Sequence, residues 1–512
     1  MKKFIPQLSI LTTIFSLSIF AQDLNIAANG EMYISPTAFV QASSNVSIAS
    51  SGNLIMDSVS NDFSDFYVAG TSTGNAEYRH FTGSSATRDL VSPPVSGQAF
   101  SAFATANTGK IATGTITSGN LMYGPLDNAN ATYIEYAAGD ATTLTAGNGY
   151  RAGSVGGQTL AYSGAITTAD APVTISYGAG QFRESNLVGN PFTTHINAGA
   201  IVNALGNSSA IDNTYAAIYG YDGSATTNAS TWTVINSVSS PDLITPGQGF
   251  IIISSTAGGT FTFPQSARAV STTARDNFLQ GRQANTPSSF KLTLTKGADV
   301  FDTALYFLDA NGTRGLDVTY DAGSLGSAIG THLVEDSQGD NMAIQVLSTE
   351  DLTATDYTIP LDVTVSAGQQ ATISIDNLNV PLGTKFYLED RELNTQTLLT
   401  SESYTFTPSS SITGIGRFYL GTTPNTLSNP STALNAVEIL SLTSSKQLVV
   451  RGQLLNDSIM KLYDTRGRVI ETFQLEASQT EHLFDVSSMS SGVYIVNLNN
   501  KSQTKTTKLV IN

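Results

Sequence analysis

The chain has 512 residues, a formal charge of −16 and no cysteine. That length suggests roughly three to five domains, each able to bury its own core, and the missing cysteines exclude disulfides, thiolate metal sites and cysteine nucleophiles. The acidic balance argues against nucleic acid and against anionic membrane surfaces, both of which need clustered Lys and Arg.

Only 12% of the residues are charged, so Ser, Thr, Asn and Gly must make most of the solvated surface. Residues 1–436 carry 16 Lys and Arg against 33 Asp and Glu, whereas residues 437–512 carry 8 against 7. This composition suits an extracellular protein better than a cytosolic enzyme.

Residues 1–21 read as a signal peptide: Lys2 and Lys3, an apolar run Ile10 to Phe20, and a cut between Ala21 and Gln22. The run is too short to span a bilayer, and no later segment is long or apolar enough, so the mature chain is expected to carry no transmembrane span. Residues 22–76 repeat short apolar pairs, among them Leu24/Ile26, Met32/Ile34 and Leu54/Met56, between Gly, Ser and Asn. This spacing reads as a short β-solenoid-like segment, and an ordinary meander accounts for it as well.

Residues 77–174 and 175–272 share ordered landmarks. Leu90-Val91 with Pro94 returns as Leu187-Val188 with Pro191, Gly147, Gly149 and Tyr150 as Gly247, Gly249 and Phe250, and Leu160 and Tyr162 as Phe261 and Phe263. Two β-units in tandem are expected. Residues 273–288 read as a linker, 289–421 as a β-sandwich closed by strands near Phe386 to Leu388, Tyr404 to Phe406 and Phe418 to Leu420, and 422–436 as a second linker. The fold class is therefore all-β and multidomain.

Candidate chemistry is sparse. Gly70-Thr71-Ser72-Thr73-Gly74 matches the G-x-S-x-G elbow, which works only where a strand turns sharply into a helix; here it lies in a Ser, Thr and Gly loop. His80, His195, His332 and His482 are scattered without a metal-site spacing. Asp309, Asn311, Gly312, Asp317 and Asp321 invite a calcium reading, and a plain Asn-Gly hairpin explains the same residues. Trp232 alternates with Val234 and reads as core rather than as a sugar platform. No catalytic, metal or other cofactor-binding residue is assigned, and the chain is read as a non-enzyme.

Residues 437–512 alternate apolar and polar positions around sharp turns. Met460-Lys461-Leu462-Tyr463-Asp464, Gly467-Arg468-Val469-Ile470, Phe484-Asp485-Val486, Gly492-Val493-Tyr494-Ile495-Val496 and the ending Thr507-Lys508-Leu509-Val510-Ile511-Asn512 follow in order. This series resembles the type A C-terminal sorting domain of type IX secretion cargo, with Tyr463, Asp464, Gly467, Gly492, Tyr494 and Lys508 as its motif residues.

The resemblance implies a small C-terminal β-sandwich, Sec export, passage across an outer membrane and the type IX secretion machinery as partner. Gly492→Val is expected to weaken export if a turn at Gly492 requires positive φ. The body also looks like surface proteins that accompany such tails, most closely at Asn186 to Phe192. Asp57-Ser58-Val59, Asp302-Thr303-Ala304 and Asp457-Ser458-Ile459 resemble the O-glycosylation acceptors of bacteria that use this route. The expected function is a secreted or cell-surface protein with an adhesin-like or structural body that meets a glycan or another surface. The alternative is a secreted glycan-binding protein or glycan-active hydrolase.

Overall fold

Strands of two to four residues cannot bury an apolar face by themselves, and the N-terminal segment solves this by stacking them. β1 (Leu24–Ile26), β2 (Met32–Ile34) and β3 (Phe39–Ala42) make a first rung. β4 (Val46–Ile48) and β5 (Leu54–Met56) start a second, interrupted by a hairpin of β6 (Ser58–Val59) and β7 (Asp62–Phe63) and completed by β8 (Asp65–Val68). β9 (Ser72–Thr73) and β10 (Ala76–Thr82) open a third.

β1, β4 and β9 stack in parallel, as do β2, β5 and β10, and β3 on β8. A meander would pair antiparallel. The register sets Leu24 on Val46 and Ile26 on Ile48, and Ile26, Ile34, Ala42, Ile48, Met56 and Val68 fill the interior. At one corner Asp23 Oδ1 accepts from the Asn45 amide at 3.1 Å and Asn45 Oδ1 accepts from the Thr71 amide at 3.0 Å. Each corner side chain thus caps the next rung.

This computed structural model describes residues 23–50, 53–178, 184–221, 232–238, 243–270, 287–337, 339–355, 357–422, 438–442, 446–451, 457–476, 481–499 and 504–511. The signal segment with its Ala21/Gln22 cut, and nearly all of the stretches 273–288 and 422–436 read as linkers, lie outside the described residues. The chain divides into two units, Met1–Thr422 and Thr423–Asn512.

Three strand pairings recur in order in the next two segments. β10 pairs antiparallel with Gln158–Ile166, and Ala171–Ile175 pairs likewise with Gly259–Phe263. Val91 stands opposite Tyr150, and Val188 opposite Phe250. Gln98–Ala99 pairs with Thr143–Leu144 before helix α1 (Phe100–Ala106), and His195–Asn197 pairs with Leu243–Ile244 before helix α2 (Ala198–Gly206). In α2 the Asn197 side chain accepts from the Ala200 amide at 2.8 Å, and Ala198, Ile201, Val202 and Leu205 face the core. The segments also exchange bridges, Val91 to Gln248 and Val188 to Asn148.

Residues 288–421 form one continuous eleven-stranded sheet instead of the two separate sheets of a sandwich. It runs from Thr395–Leu398 at one edge to Tyr404–Phe406 at the other, and it curls because side chains near both edges share one core. Phe406, on the last strand, lies 4.9 Å ring to ring from Phe418, and Tyr404 donates its hydroxyl to Asp390 Oδ2 at 2.7 Å. Arg417 clamps the same carboxylate through Nε at 3.0 Å and Nη2 at 2.7 Å. Curling thereby supplies by closure what a second sheet would supply by stacking.

The C-terminal unit has two sheets, Glu438–Leu442 with Gln447–Arg451 and Glu481–Asp485, and Val469–Leu475 with Ser458–Tyr463, Gly492–Asn499 and Thr504–Ile511. Leu448, Val450, Met460, Leu462, Tyr494, Val496 and Leu509 form its core. Among the described residues no helix is long and apolar enough to cross a membrane.

Candidate functional sites in the body and the sorting tail

Ser72 lies in β9, stacked on Val46, and the chain continues through a tight turn into β10 rather than into a helix. Gly74 has φ +83°, and a Cβ there would fall 2.0 Å from the Ile48 carbonyl oxygen. The two glycines therefore shape a corner of the stack, and the Ser72 hydroxyl is buried without a hydrogen-bond partner. Nothing in this geometry is a nucleophile elbow.

His195 has a partner that spacing did not reveal. Asp65, in β8, accepts from His195 Nδ1 at 2.8 and 2.9 Å and from the His195 amide at 2.7 Å. Both side chains are 1% exposed, so the dyad has no path to a substrate and fastens the stack to the strand His195–Asn197. The Thr193 hydroxyl donates to Phe66 O at 2.8 Å along the same seam.

The other histidines are dispersed. His80 is buried between Phe63 and Tyr162, with ring centroids 5.3 and 6.5 Å away, and burial pushes its pKa down to about 4. His332 Nε2 lies 3.6 Å from Asp362 Oδ2, and His482 stacks parallel to Phe484.

The carboxylates of the calcium-like loop each serve different hydrogen-bond donors. Asp309 accepts from the Thr349 hydroxyl, Asp317 Oδ2 accepts from the Thr313 amide at 2.7 Å, and Asp321 accepts from the amides of Asp317 and Val346, each at 2.7 Å. Asn311 takes φ +65° and donates its side-chain amide to the Tyr320 hydroxyl at 3.0 Å. Burial raises the Asp321 pKa to about 7. No cluster of three or more metal-ligating side chains forms among the described residues.

Trp232 meets Tyr221 edge to face at 5.3 Å and packs half-buried on the core that joins the tandem units to the curled sheet. The three glycosylation-like acceptors are all buried in the folded chain. Ser58 donates to Arg79 O at 2.8 Å, Thr303 donates to Met342 O at 2.9 Å, and Ser458 sits at the inner face of its strand. Their hydroxyls are therefore closed to a glycosyl donor once the chain has folded.

In the C-terminal unit the motif residues fall into two groups. Tyr463 ends one strand, and Asp464 organises the turn after it: its carboxylate accepts from the amides of Arg466 at 2.9 Å and Arg468 at 3.0 Å, and Gly467 takes φ +81°. Tyr494 is buried and donates its hydroxyl to Ser490 O at 2.7 Å, while Lys508 is exposed opposite Ile495. Gly492 departs from expectation. It opens the strand Gly492–Asn499 without positive φ, and a Cβ on it would meet nothing closer than 3.9 Å. Its glycine is not demanded by backbone conformation.

Comparison with known proteins places both parts. A family model described as "Secretion system C-terminal sorting domain" matches residues 440–512, which makes the chain type IX secretion cargo, secreted or attached to the cell surface by way of the outer membrane. No curated protein matches the chain. It is similar to the solved structure "Biofilm associated protein - BSP domain" at 10% identity and a TM-score of 0.13, over 83% of this chain and 90% of that one; at that score the likeness carries no argument. A second model, "Domain of unknown function (DUF8693)", matches residues 4–421. The chain belongs to the DUF8693 family.

Proposed function

We propose that the body is a non-catalytic, adhesin-like scaffold held outside the cell, built to present β-surfaces rather than to turn over a substrate. The observation that carries this reading is the Asp65–His195 dyad, an acid–imidazole pair of catalytic type that is wholly enclosed and bridges 130 residues of sequence. Its role there is to hold two parts of the scaffold together. The carboxylate of Asp390 is spent in the same way, on closing the curled sheet.

The test uses the purified full chain and cells that do or do not carry it. Cells lacking the protein are expected to attach to a surface about tenfold less than the parent. The chain with Ser72→Ala or His195→Ala is expected to match the parent chain against a panel of glycan and peptide substrates. Turnover by the parent chain, lost by about a hundredfold in either folded variant, would overturn the reading. Equal attachment with and without the protein would overturn it too.

A further inference from the structure

The two ends of the parallel stack differ. At the far end β10 pairs on its outer side with Gln158–Ile166, and the Phe66 amide of β8 donates to Thr193 O at 2.8 Å. At the near end, among the described residues, nothing pairs with the outer edge of β1, β2 or β3.

The ladder bonds fix which backbone groups face that open edge. Leu24 donates to Asn45 O and Ile26 O accepts from Ala49, both toward β4, which turns the amide and carbonyl of Asn25 the other way. Met32 donates to Asn53 O and Ile34 O accepts from Asp57, so Tyr33 presents both its backbone groups outward. Ala38 O and Ala42 O accept from Asp65 and Ala69, which leaves Phe39 and Gln41 outward in β3.

Sheet edges are blunted by short strands, lysine, proline or a bulge. β1, β2 and β3 are short, of three, three and four residues, but contain no lysine, no proline and no break in register. Charge narrows what fits. There is no Lys or Arg between Lys3 and Arg79, while Asp23 and Glu31, both exposed, stand immediately before β1 and β2.

We propose that this first rung captures an extended cationic peptide by strand addition. The main chain of the peptide follows the rung, pairing with Asn25 and, past the corner between the two sheets, with Tyr33. Its Lys or Arg side chains meet Glu31 and Asp23, whose Oδ1 also caps Asn45. A second copy of this chain fits poorly, because its own first rung brings the same carboxylates and no cation. The proposal rests on the scaffold reading and names the partner class that reading leaves open.

The experiment is fluorescence anisotropy of a short labelled peptide alternating lysine with threonine, titrated with the purified full chain. Saturable binding that weakens with added salt is expected, and none for the matching aspartate–threonine peptide. Asn25→Pro removes an outward N–H group and suits extended backbone; it is expected to weaken binding by about tenfold with thermal unfolding unchanged. Tyr33→Pro, which also removes the Tyr33 hydroxyl bond to Asp57 Oδ2 at 2.6 Å, is expected to weaken binding by about as much with a lower unfolding midpoint. Glu31→Lys, at an exposed position, is expected to weaken binding by about tenfold whatever the prolines do to folding. Equal binding of the two peptides, or undiminished binding by Glu31→Lys, would overturn the proposal. So would a concentration-dependent dimer that Tyr33→Pro abolishes. If the lysine peptide fails to bind while cells still attach through the protein, the edge proposal falls and the scaffold reading stands.

Discussion

Gly149 donates its amide to the carbonyl of Leu187 at 3.0 Å, and a Cβ on Gly149 would lie 2.6 Å from Leu187 Cγ and 2.7 Å from the Leu187 carbonyl carbon. Gly249 repeats the crossing against Leu90, where a Cβ would lie 2.6 Å from both the Leu90 carbonyl carbon and the Val91 nitrogen. Backbone atoms cannot move aside as a flexible side chain can. Gly149→Ala and Gly249→Ala are each expected to destabilise the body by about 1–3 kcal/mol, and the pair to be non-additive because both act on one seam. Urea unfolding of the single and double variants checks this.

Asp65→Ala is expected to cost about 3–5 kcal/mol, because it leaves a buried imidazole and a buried backbone amide without their acceptor. Replacing both residues by leucine is expected to recover part of the loss. Unfolding midpoints of the three variants separate the buried pair from its volume.

His80 gives the body an acid limit. Burial lowers its pKa to about 4, against about 6.5 for a free imidazole, so the folded chain favours the neutral ring. The stability this contributes is fully present above pH ~6.5 and is lost as pH falls through about 4, roughly 3 kcal/mol in all. Asp321, raised to about 7, works in the opposite sense, its contribution being lost as pH rises through that value. The difference between the parent chain and His80→Phe, followed by thermal unfolding from pH 7 to 4, therefore isolates the histidine. The variant is expected to lose less stability on acidification.

Two glycines of the tail are expected to behave differently. Gly467→Val puts a β-branched residue at φ +81° and is expected to cost the tail about 1–3 kcal/mol. Gly492→Val meets no close neighbour and is expected to leave stability within about 0.5 kcal/mol. Circular dichroism melts of the isolated and full-length forms read both.

What was legible in the sequence was local. The pairs Leu24/Ile26 and Met32/Ile34 mark strands β1 and β2 because alternate residues of a strand share a face. Leu90-Val91 and Leu187-Val188 take corresponding pairings. Helix α2 was missed although Asn197 caps it and Ala198, Ile201, Val202 and Leu205 keep helical spacing; a Gly- and Ala-rich setting obscured nine residues of period.

The Asp65–His195 pair left no trace, since neither neighbourhood resembles a site until the stack and the second unit fold together. The curl of residues 288–421 was hidden for the same reason: each strand reads alike in an open or a closed sheet, and only side chains such as Tyr404 and Asp390 join the edges.

Residues 440–512 deliver the body to the cell exterior. The measurement for this is protease treatment of intact cells expressing the full chain, or a chain ending at residue 422. The full chain is expected at the surface and cleaved, and the shortened one folded, periplasmic and protected until the outer membrane is opened. A shortened chain cleaved on intact cells as efficiently as the full one would contradict the account.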